Sequence, residues 1–321
     1  MSKKTKIWLI IATSLVLVGC VIFGGVMTLF KWDFTKLSTF KYETNEYKIN
    51  EDYKNICIVT DTADIVFVPG ENPTSTVECF EQKNVKHSVT VKDSTLHIEV
   101  ADTRKWYEYI GINFGTPKIT VYIPQSEYGT LSVKSSTGDV EIPKEFKFQS
   151  IDISESTGKV TNYACASEFI KIKTSTGNIR VENITAGKLD LSVSTGDINV
   201  SNVTCDGQVK IDVSTGKTNL TDIKCKNVIS VGSTGDISLK NVIATEKFSI
   251  ERSTGDVKFD GCDASEIFVK TDTGDVTGSL ITDKVFIVDT DTGSIDVPKT
   301  TSGGKCEITT DTGDICIKIQ Q

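Results

Sequence analysis

The side chains with the clearest chemical potential are aspartates that recur beside Thr-Gly pairs near the end of the chain. Carboxylates repeated at one corner of stacked units could share Ca²⁺, which takes oxygen ligands from several side chains. Earlier repeats carry Lys159, Asn178 and Lys217 after the same glycine, which is typical of avoiding stacked like charges. We therefore interpret this acidic corner as screened by solvent, with calcium binding as the alternative. Its members are Asp272, Asp275, Asp289, Asp291, Asp311 and Asp314.

A second candidate site is an aromatic cluster inside the run from Arg104 to Phe114. Trp106, Tyr107 and Tyr109 could form a platform for a carbohydrate or a protein partner, because aromatic faces stack well on both. The alternative interpretation is that these rings close the end of the fold.

Catalysis is not expected from this composition. The 321 residues include two histidines and three arginines, and the patterns of serine hydrolases, zinc proteases and P-loop enzymes are absent. The formal net charge of −8 argues against a nucleic-acid partner. The sequence therefore predicts a protein that is not an enzyme, has no catalytic residues and needs no cofactor.

Nine cysteines would suggest disulfides in an exported protein. Four of them, Cys165, Cys205, Cys225 and Cys262, replace Val, Ile or Ala in the repeat described below, which favours buried thiols. Cys205 and Cys225 occupy equivalent repeat positions, so a disulfide between them stays open at this stage.

Residues 7–30 form an apolar run without a charge, long enough as a helix for a ~30 Å hydrocarbon core. Lys3, Lys4 and Lys6 precede it, which predicts a cytoplasmic tail over residues 1–6 and an extracellular remainder. Lipidation of Cys20 is a rival interpretation, but the apolar run continues for ten residues beyond that cysteine. Either interpretation tethers the chain to a cell membrane.

The elements that must position the acidic corner come from an internal repeat. Thr-Gly recurs every 19 or 20 residues, and apolar residues alternate on both sides of each copy, as in half-buried strands. A stretch of helical periodicity between copies is missing, and Thr is a poor first residue for a tight hairpin. The repeat therefore predicts an all-β parallel β-solenoid of about ten coils. The expected corner glycines are Gly138, Gly158, Gly177, Gly196, Gly216, Gly235, Gly255, Gly274, Gly293 and Gly313.

The predicted organisation has three parts after the apolar segment. Residues 31–55 read as a juxtamembrane linker, 56–135 as an irregular N-terminal β cap, and 136–321 as the solenoid repeat domain. Alternation falters at Val228, Ile229 and Val231, which predicts a β-bulge there.

The anchored N-terminus, the stretch from Lys36 to Thr44, the Ala63-Asp64-Ile65 corner and the Ser-Thr-Gly-Asp repeats resemble a bacterial family of uncharacterised envelope proteins known as "putative adhesins". The resemblance covers roughly residues 36–321 and implies a β-solenoid at the cell surface. We expect a binding or scaffold protein, with an adhesin among its roles. A regulatory or sensory module in envelope-stress signalling is the alternative, and a polysaccharide-active enzyme the third. The expected partner is a cell-wall component, a host surface or an envelope protein.

Overall fold

The computed structural model describes residues 2–38, 40–70, 73–102 and 115–320. The protein is mostly β, at 67%, and forms a parallel β-solenoid of about ten turns, which confirms the predicted fold class. One apolar helix, α1 (Lys3–Leu29), precedes the sheet, and its N-cap Ser2 accepts a hydrogen bond from the Thr5 N–H. Its 27 residues are long and apolar enough to cross a membrane. A single helical turn at Phe34–Leu37 follows.

Seven strands form the N-terminal cap. They are β1 (Tyr42–Ile49), β2 (Asn55–Thr62), β3 (Asp64–Pro69), β4 (Ser75–Gln82), β5 (Val85–Lys92), β6 (Thr95–Asp102) and β7 (Lys118–Ile123). Strand β4 pairs antiparallel with β1 and β7, while β5 pairs antiparallel with β6. Strand β1 lies inside the stretch 31–55 that the sequence assigns to a linker. Its Tyr47 packs against the hydrophobic core and its Ile49 is buried, which makes it part of the cap.

The coils follow as pairs of strands around the corner glycines. They are β8 (Glu127–Thr137), β9 (Val140–Ile142), β10 (Lys147–Thr157), β11 (Val160–Asn162), β12 (Cys165–Thr176), β13 (Ile179–Ala186), β14 (Leu189–Thr195), β15 (Ile198–Cys205), β16 (Gln208–Thr215), β17 (Thr218–Thr234), β18 (Ile237–Thr254), β19 (Val257–Cys262), β20 (Glu266–Thr273), β21 (Val276–Leu280), β22 (Lys284–Thr292), β23 (Ile295–Asp296), β24 (Gly304–Thr312) and β25 (Ile315–Ile319). Parallel pairing joins equivalent strands of neighbouring coils, so alternate side chains stack in one continuous aliphatic core.

Each predicted corner glycine lies where the chain turns between two strands, with φ between +127° and +159°. A Cβ atom at Gly196 would overlap the carbonyl oxygen of Gly177 in the preceding coil. Glycine is therefore required twice over, for the backbone angle and for the close stacking of coils.

A second corner lies about six residues after the glycine and escaped the sequence analysis. Asn183, Asn202, Asp222 and Asn241 adopt a left-handed conformation there, with φ between +51° and +56°. Asn and Asp tolerate this conformation better than other non-glycine residues. Their side chains also stack, since the Asn202 amide donates to the Asn183 side-chain oxygen at 2.7 Å.

The coils form one continuous stack, but at both ends their order in the stack differs from their order in the chain. Strand β2 lies between β6 and β8, and β24 lies between β20 and β22. To enter the stack between two other coils, β24 must pass close to the backbone of its neighbour. A Cβ atom at Gly304 would overlap the Ser265 carbonyl oxygen. The edge coil at the C-terminal end is therefore β22 and β23 rather than the last strands of the chain.

The irregular stretch at 228–231 is not a bulge. Residues 227–232 pair in register with 208–213, and the irregularity falls between Cys225 and Asn227 instead. The inward positions of this coil are Val228, Ser230 and Gly232, and the absence of a side chain at Gly232 leaves room for Arg252 from the next coil. Arg252 is 4% exposed, and its guanidinium donates to the Ser230 hydroxyl at 2.9 Å.

Candidate functional site

A cavity of about 170 Å³ opens in the cap, where β2, β4, β5 and β6 meet. Its walls combine acidic and hydroxyl side chains with a histidine and two valines. The lining residues are Thr60, Asp61, Thr62, Glu81, Gln82, Val85, His87, Val100 and Pro117.

The most buried polar pair at this cavity is Glu81 with His87, at 1% and 5% exposure. One carboxylate oxygen of Glu81, Oε2, lies 2.6 Å from Nδ1 of His87 and accepts the His87 backbone N–H at 2.7 Å. The other oxygen, Oε1, accepts the Asn45 side-chain amide at 2.7 Å. Both oxygens of this buried carboxylate therefore have partners, as burial requires.

The imidazole of His87 is fixed from its other side as well. Its Nε2 lies 3.0 Å from the hydroxyl of Thr60 on β2. The carbonyl oxygen of the same histidine accepts a hydrogen bond from the Tyr47 hydroxyl at 2.9 Å. Strands β2 and β4 thus hold the side chain of His87, and β1 holds its backbone carbonyl.

Cys79 completes the group, because its thiol and the ligand atoms of Glu81 and His87 all lie within 4.8 Å of one another. Burial raises the pKa of the Cys79 thiol to about 12, and the charges of Glu81 and Glu78 add to the effect. Burial and the Glu81 charge likewise raise the pKa of Tyr47 to about 12. Without a compensating cation, Cys79 is a neutral thiol at neutral pH.

Strand alternation explains how these residues meet. Val77, Cys79 and Glu81 occupy successive inward positions of β4, so Cys79 and Glu81 lie on one face two residues apart. A short connection then reverses the chain, and His87 occupies a buried position on β5. The sequence analysis missed this group, although a glutamate in an apolar column and one of only two histidines were the available signals.

The predicted acidic corner has a structural use at two of its positions. Asp275 accepts the Asp314 backbone N–H at 2.8 Å, and Asp314 accepts that of Ser294 at 2.7 Å. Backbone and hydroxyl donation from Ser294 lowers the pKa of Asp314. This ladder runs along the solenoid, and Asp139 and Asp197 act in the same way.

The other aspartates of the corner lie on the solenoid surface. Because β24 lies between β20 and β22, Asp311 lies between Asp272 and Asp291, and all three are exposed. Asp289 is also exposed, on the edge strand β22. The calcium alternative stays a prediction.

The predicted aromatic site, Trp106, Tyr107 and Tyr109, lies outside the described residues. Val100 and Pro117, which come before and after that segment in the sequence, both line the cavity. All nine cysteines are free thiols, including Cys205 and Cys225.

Comparison with known proteins places the chain in a family. The model of the family described as Toastrack DUF4097 matches residues 53–214 and again 206–321. No curated protein matches the chain.

Similar solved structures include a "putative adhesin" from Parabacteroides distasonis, with a TM-score of 0.49 and 14% identity over 85% of this chain and 98% of that one. A "putative lipid binding protein" from the same organism has a TM-score of 0.48 and 18% identity, covering 88% and 98%. A "putative adhesin" from Bacteroides fragilis has a TM-score of 0.43 and 18% identity, covering 87% and 97%. Likenesses this distant transfer no ligand. The family match spans well over half of the sequence, and the chain belongs to the Toastrack DUF4097 family.

Proposed function

We propose that this protein is a membrane-anchored binding or scaffold protein of the bacterial cell envelope, with adhesion as its leading role. The observation that carries the proposal is the uniformity of the coils. Corner glycines follow one another every 19 or 20 residues, and nearly all residues between them form strands. Inward side chains pack the core, and the outward side chains form long parallel surfaces suited to contact with an extended partner.

The anchor supports an envelope location. Helix α1 is apolar over a membrane-spanning length, and three lysines stand at its start. In the proposed topology these lysines stay in the cytoplasm, and the cap follows α1 after about a dozen residues. The cap then lies near the membrane, and the C-terminal edge coil points away from it.

A sensory module in envelope-stress signalling is the second candidate. Glu155 favours it, because this carboxylate is 3% exposed inside the coil stack and neither of its oxygens makes a hydrogen bond of normal geometry. A charge held in this way makes the stack responsive to the surrounding pH. A catalytic use of Glu81 is disfavoured, because hydrogen bonds occupy both of its oxygens.

Removal of residues 36–321, leaving α1 in place, separates these candidates. Cells carrying the truncated and the full chain are compared for attachment to host and cell-wall surfaces and for induction of an envelope-stress reporter. Lost attachment with normal induction supports the adhesin, whereas unchanged attachment rules it out. The polysaccharide-active enzyme is tested separately, by incubating the purified full chain with cell-wall polysaccharides. That alternative requires the release of polysaccharide fragments.

A further inference from the structure

We propose that Cys79, Glu81 and His87 bind one Zn²⁺ ion inside the cap. This site is independent of the binding function proposed above. The three side chains offer one sulfur, one oxygen and one nitrogen, and the possible ligand atoms lie within 4.8 Å of one another. Zinc is the divalent ion that commonly combines thiolate, carboxylate and imidazole ligands.

The three side chains are buried and held on strands, as a protein metal site requires. Cys79, Glu81 and His87 are 0%, 1% and 5% exposed, and two of them project from one face of β4. The third comes from β5, which the chain reaches through a short reversal. Ligands on strands keep their directions, so the ion would require only a local opening of the contact between His87 and Glu81.

Neighbouring groups orient the ligands so that Nδ1 and Oε2 face one another. Thr60 holds Nε2 of His87 at 3.0 Å, which directs Nδ1 towards Glu81 and Cys79. Asn45 holds Oε1 of Glu81 at 2.7 Å, which leaves Oε2 on the side of the imidazole. Outer hydrogen bonds to the second ring nitrogen and to the carboxylate are the usual supports of zinc ligands.

Charge balance favours the same conclusion. The Glu81 carboxylate and a Cys79 thiolate would carry two negative charges, which one Zn²⁺ neutralises. Binding releases the thiol proton to solvent and leaves a neutral imidazole whose proton lies on Nε2, where the Thr60 hydroxyl accepts it; the 2.6 Å contact between Nδ1 and Oε2 opens to make room for the ion. Among the described residues, the lining of the cavity beside Glu81 and His87 includes neither lysine nor arginine, and the cavity leaves space for water as a fourth ligand.

Co²⁺ titration of the full chain in detergent micelles, reduced and freed of metal, tests the proposal. We expect one equivalent of Co²⁺ to produce a thiolate-to-cobalt charge-transfer band with the intense visible bands of tetrahedral Co²⁺, and Zn²⁺ to remove both. Cys79→Ser should abolish the charge-transfer band, whereas Cys57→Ser on the neighbouring strand β2 should retain it. Thr60→Val should weaken Co²⁺ binding about 10–100-fold through the lost support of His87.

The two histidines provide a second matched pair that does not depend on the cysteine variants. His97 pairs with Glu99 at 3.5 Å at the protein surface. Zn²⁺ should raise the melting temperature of the wild-type chain and of His97→Gln but leave that of His87→Gln unchanged. A wild-type chain without the charge-transfer band at stoichiometric Co²⁺, or a band that persists in Cys79→Ser, overturns the proposal.

Discussion

At the scale of one residue, Glu155 shows how burial in the coil stack affects an ionisable side chain. It occupies the inward column three residues before the corner glycine, where neighbouring coils carry Ser135 and Thr174. Burial raises the pKa of Glu155 to about 7, although Ser135 and the nearby backbone partly offset the effect. The folded protein therefore prefers the protonated acid.

This preference makes stability depend on pH. A carboxyl group whose pKa is raised from 4.5 to about 7 on folding stabilises fully only below about pH 4.5, and the benefit is lost as the pH rises to 7. Glu155→Gln should raise the stability of the chain at pH 8 by about 3 kcal/mol and change it little at pH 4.5. Urea unfolding at both pH values measures the difference. The exposed Glu141→Gln serves as control, and an equal effect of both substitutions contradicts the prediction.

Asp197 allows a second test at the residue scale. Its Oδ1 accepts the Lys217 backbone N–H at 2.8 Å, and Asn178 fills the same place one coil earlier. Asp197→Ala should destabilise the chain by about 1–2 kcal/mol, because it leaves that N–H without its side-chain acceptor. Asp197→Asn keeps an acceptor oxygen and should cost far less. Equal urea midpoints of the two variants would argue against the ladder.

At the scale of the element, the corner is the unit that repeats. Three residues turn one strand into the next. They are the corner glycine, the side chain after it that accepts a backbone hydrogen bond, and the left-handed Asn or Asp about six residues after the glycine. The pairing of Gly232 with Arg252 shows that coils also compensate one another. A side chain at position 232 would collide with the Arg252 guanidinium, whose pKa burial lowers to about 10.

Gly196→Ala tests the corner. The new Cβ would overlap the Gly177 carbonyl oxygen at a φ of +144°, so we expect a loss of at least about 2 kcal/mol. Ser194→Ala, an exposed substitution two residues earlier, is the control and should lie within about 0.5 kcal/mol of wild type. A thermal melt that does not separate the two variants would mean that the coils can shift apart at this corner.

At the scale of the whole molecule, both ends of the solenoid depart from chain order. At the N-terminal end, β4 and β5 pair antiparallel with β7 and β6 and cover the outermost coil. At the C-terminal end, β24 is inserted between β20 and β22, so the last coil of the sequence is an internal coil of the stack. The free edge carries Asp289 and Asp291, and charges on an edge strand discourage pairing with another chain.

Removal of residues 304–321 tests whether β24 is inserted between β20 and β22 or whether the coils stack in chain order. Within the part of the chain that the structure describes, β22 and β23 pair only with the coil that this removal takes away, so the backbone amides of 284–296 should lose their protection from hydrogen exchange. A consecutive stack would leave the same amides protected by β20 and β21. Exchange measured by mass spectrometry on the full and shortened chains decides between them, with β14 to β16 as the internal reference.

Local pattern determined much of this protein. The period of 19 or 20 residues, the alternation of apolar side chains and the glycine after each Thr were enough to predict the parallel solenoid, because each depends on neighbours close in sequence. The apolar run at 7–30 likewise indicated α1. Of the four cysteines predicted to be buried thiols, Cys205, Cys225 and Cys262 are buried and Cys165 is half-buried, and the disulfide that the sequence left open between Cys205 and Cys225 is not formed.

Tertiary structure alone decided the rest. The insertion of β24 and the position of β2 depend on which coil edges are unpaired when the chain returns to the stack. The coils are so alike in sequence that the repeat does not indicate which edge a returning strand will pair with. Arg252 reaches Ser230 across 22 residues, and His87 reaches Thr60 across 27. Contacts of that span follow from the stacking of strands in space, so Cys79, Glu81 and His87 became a candidate site only when β4, β5 and β2 met.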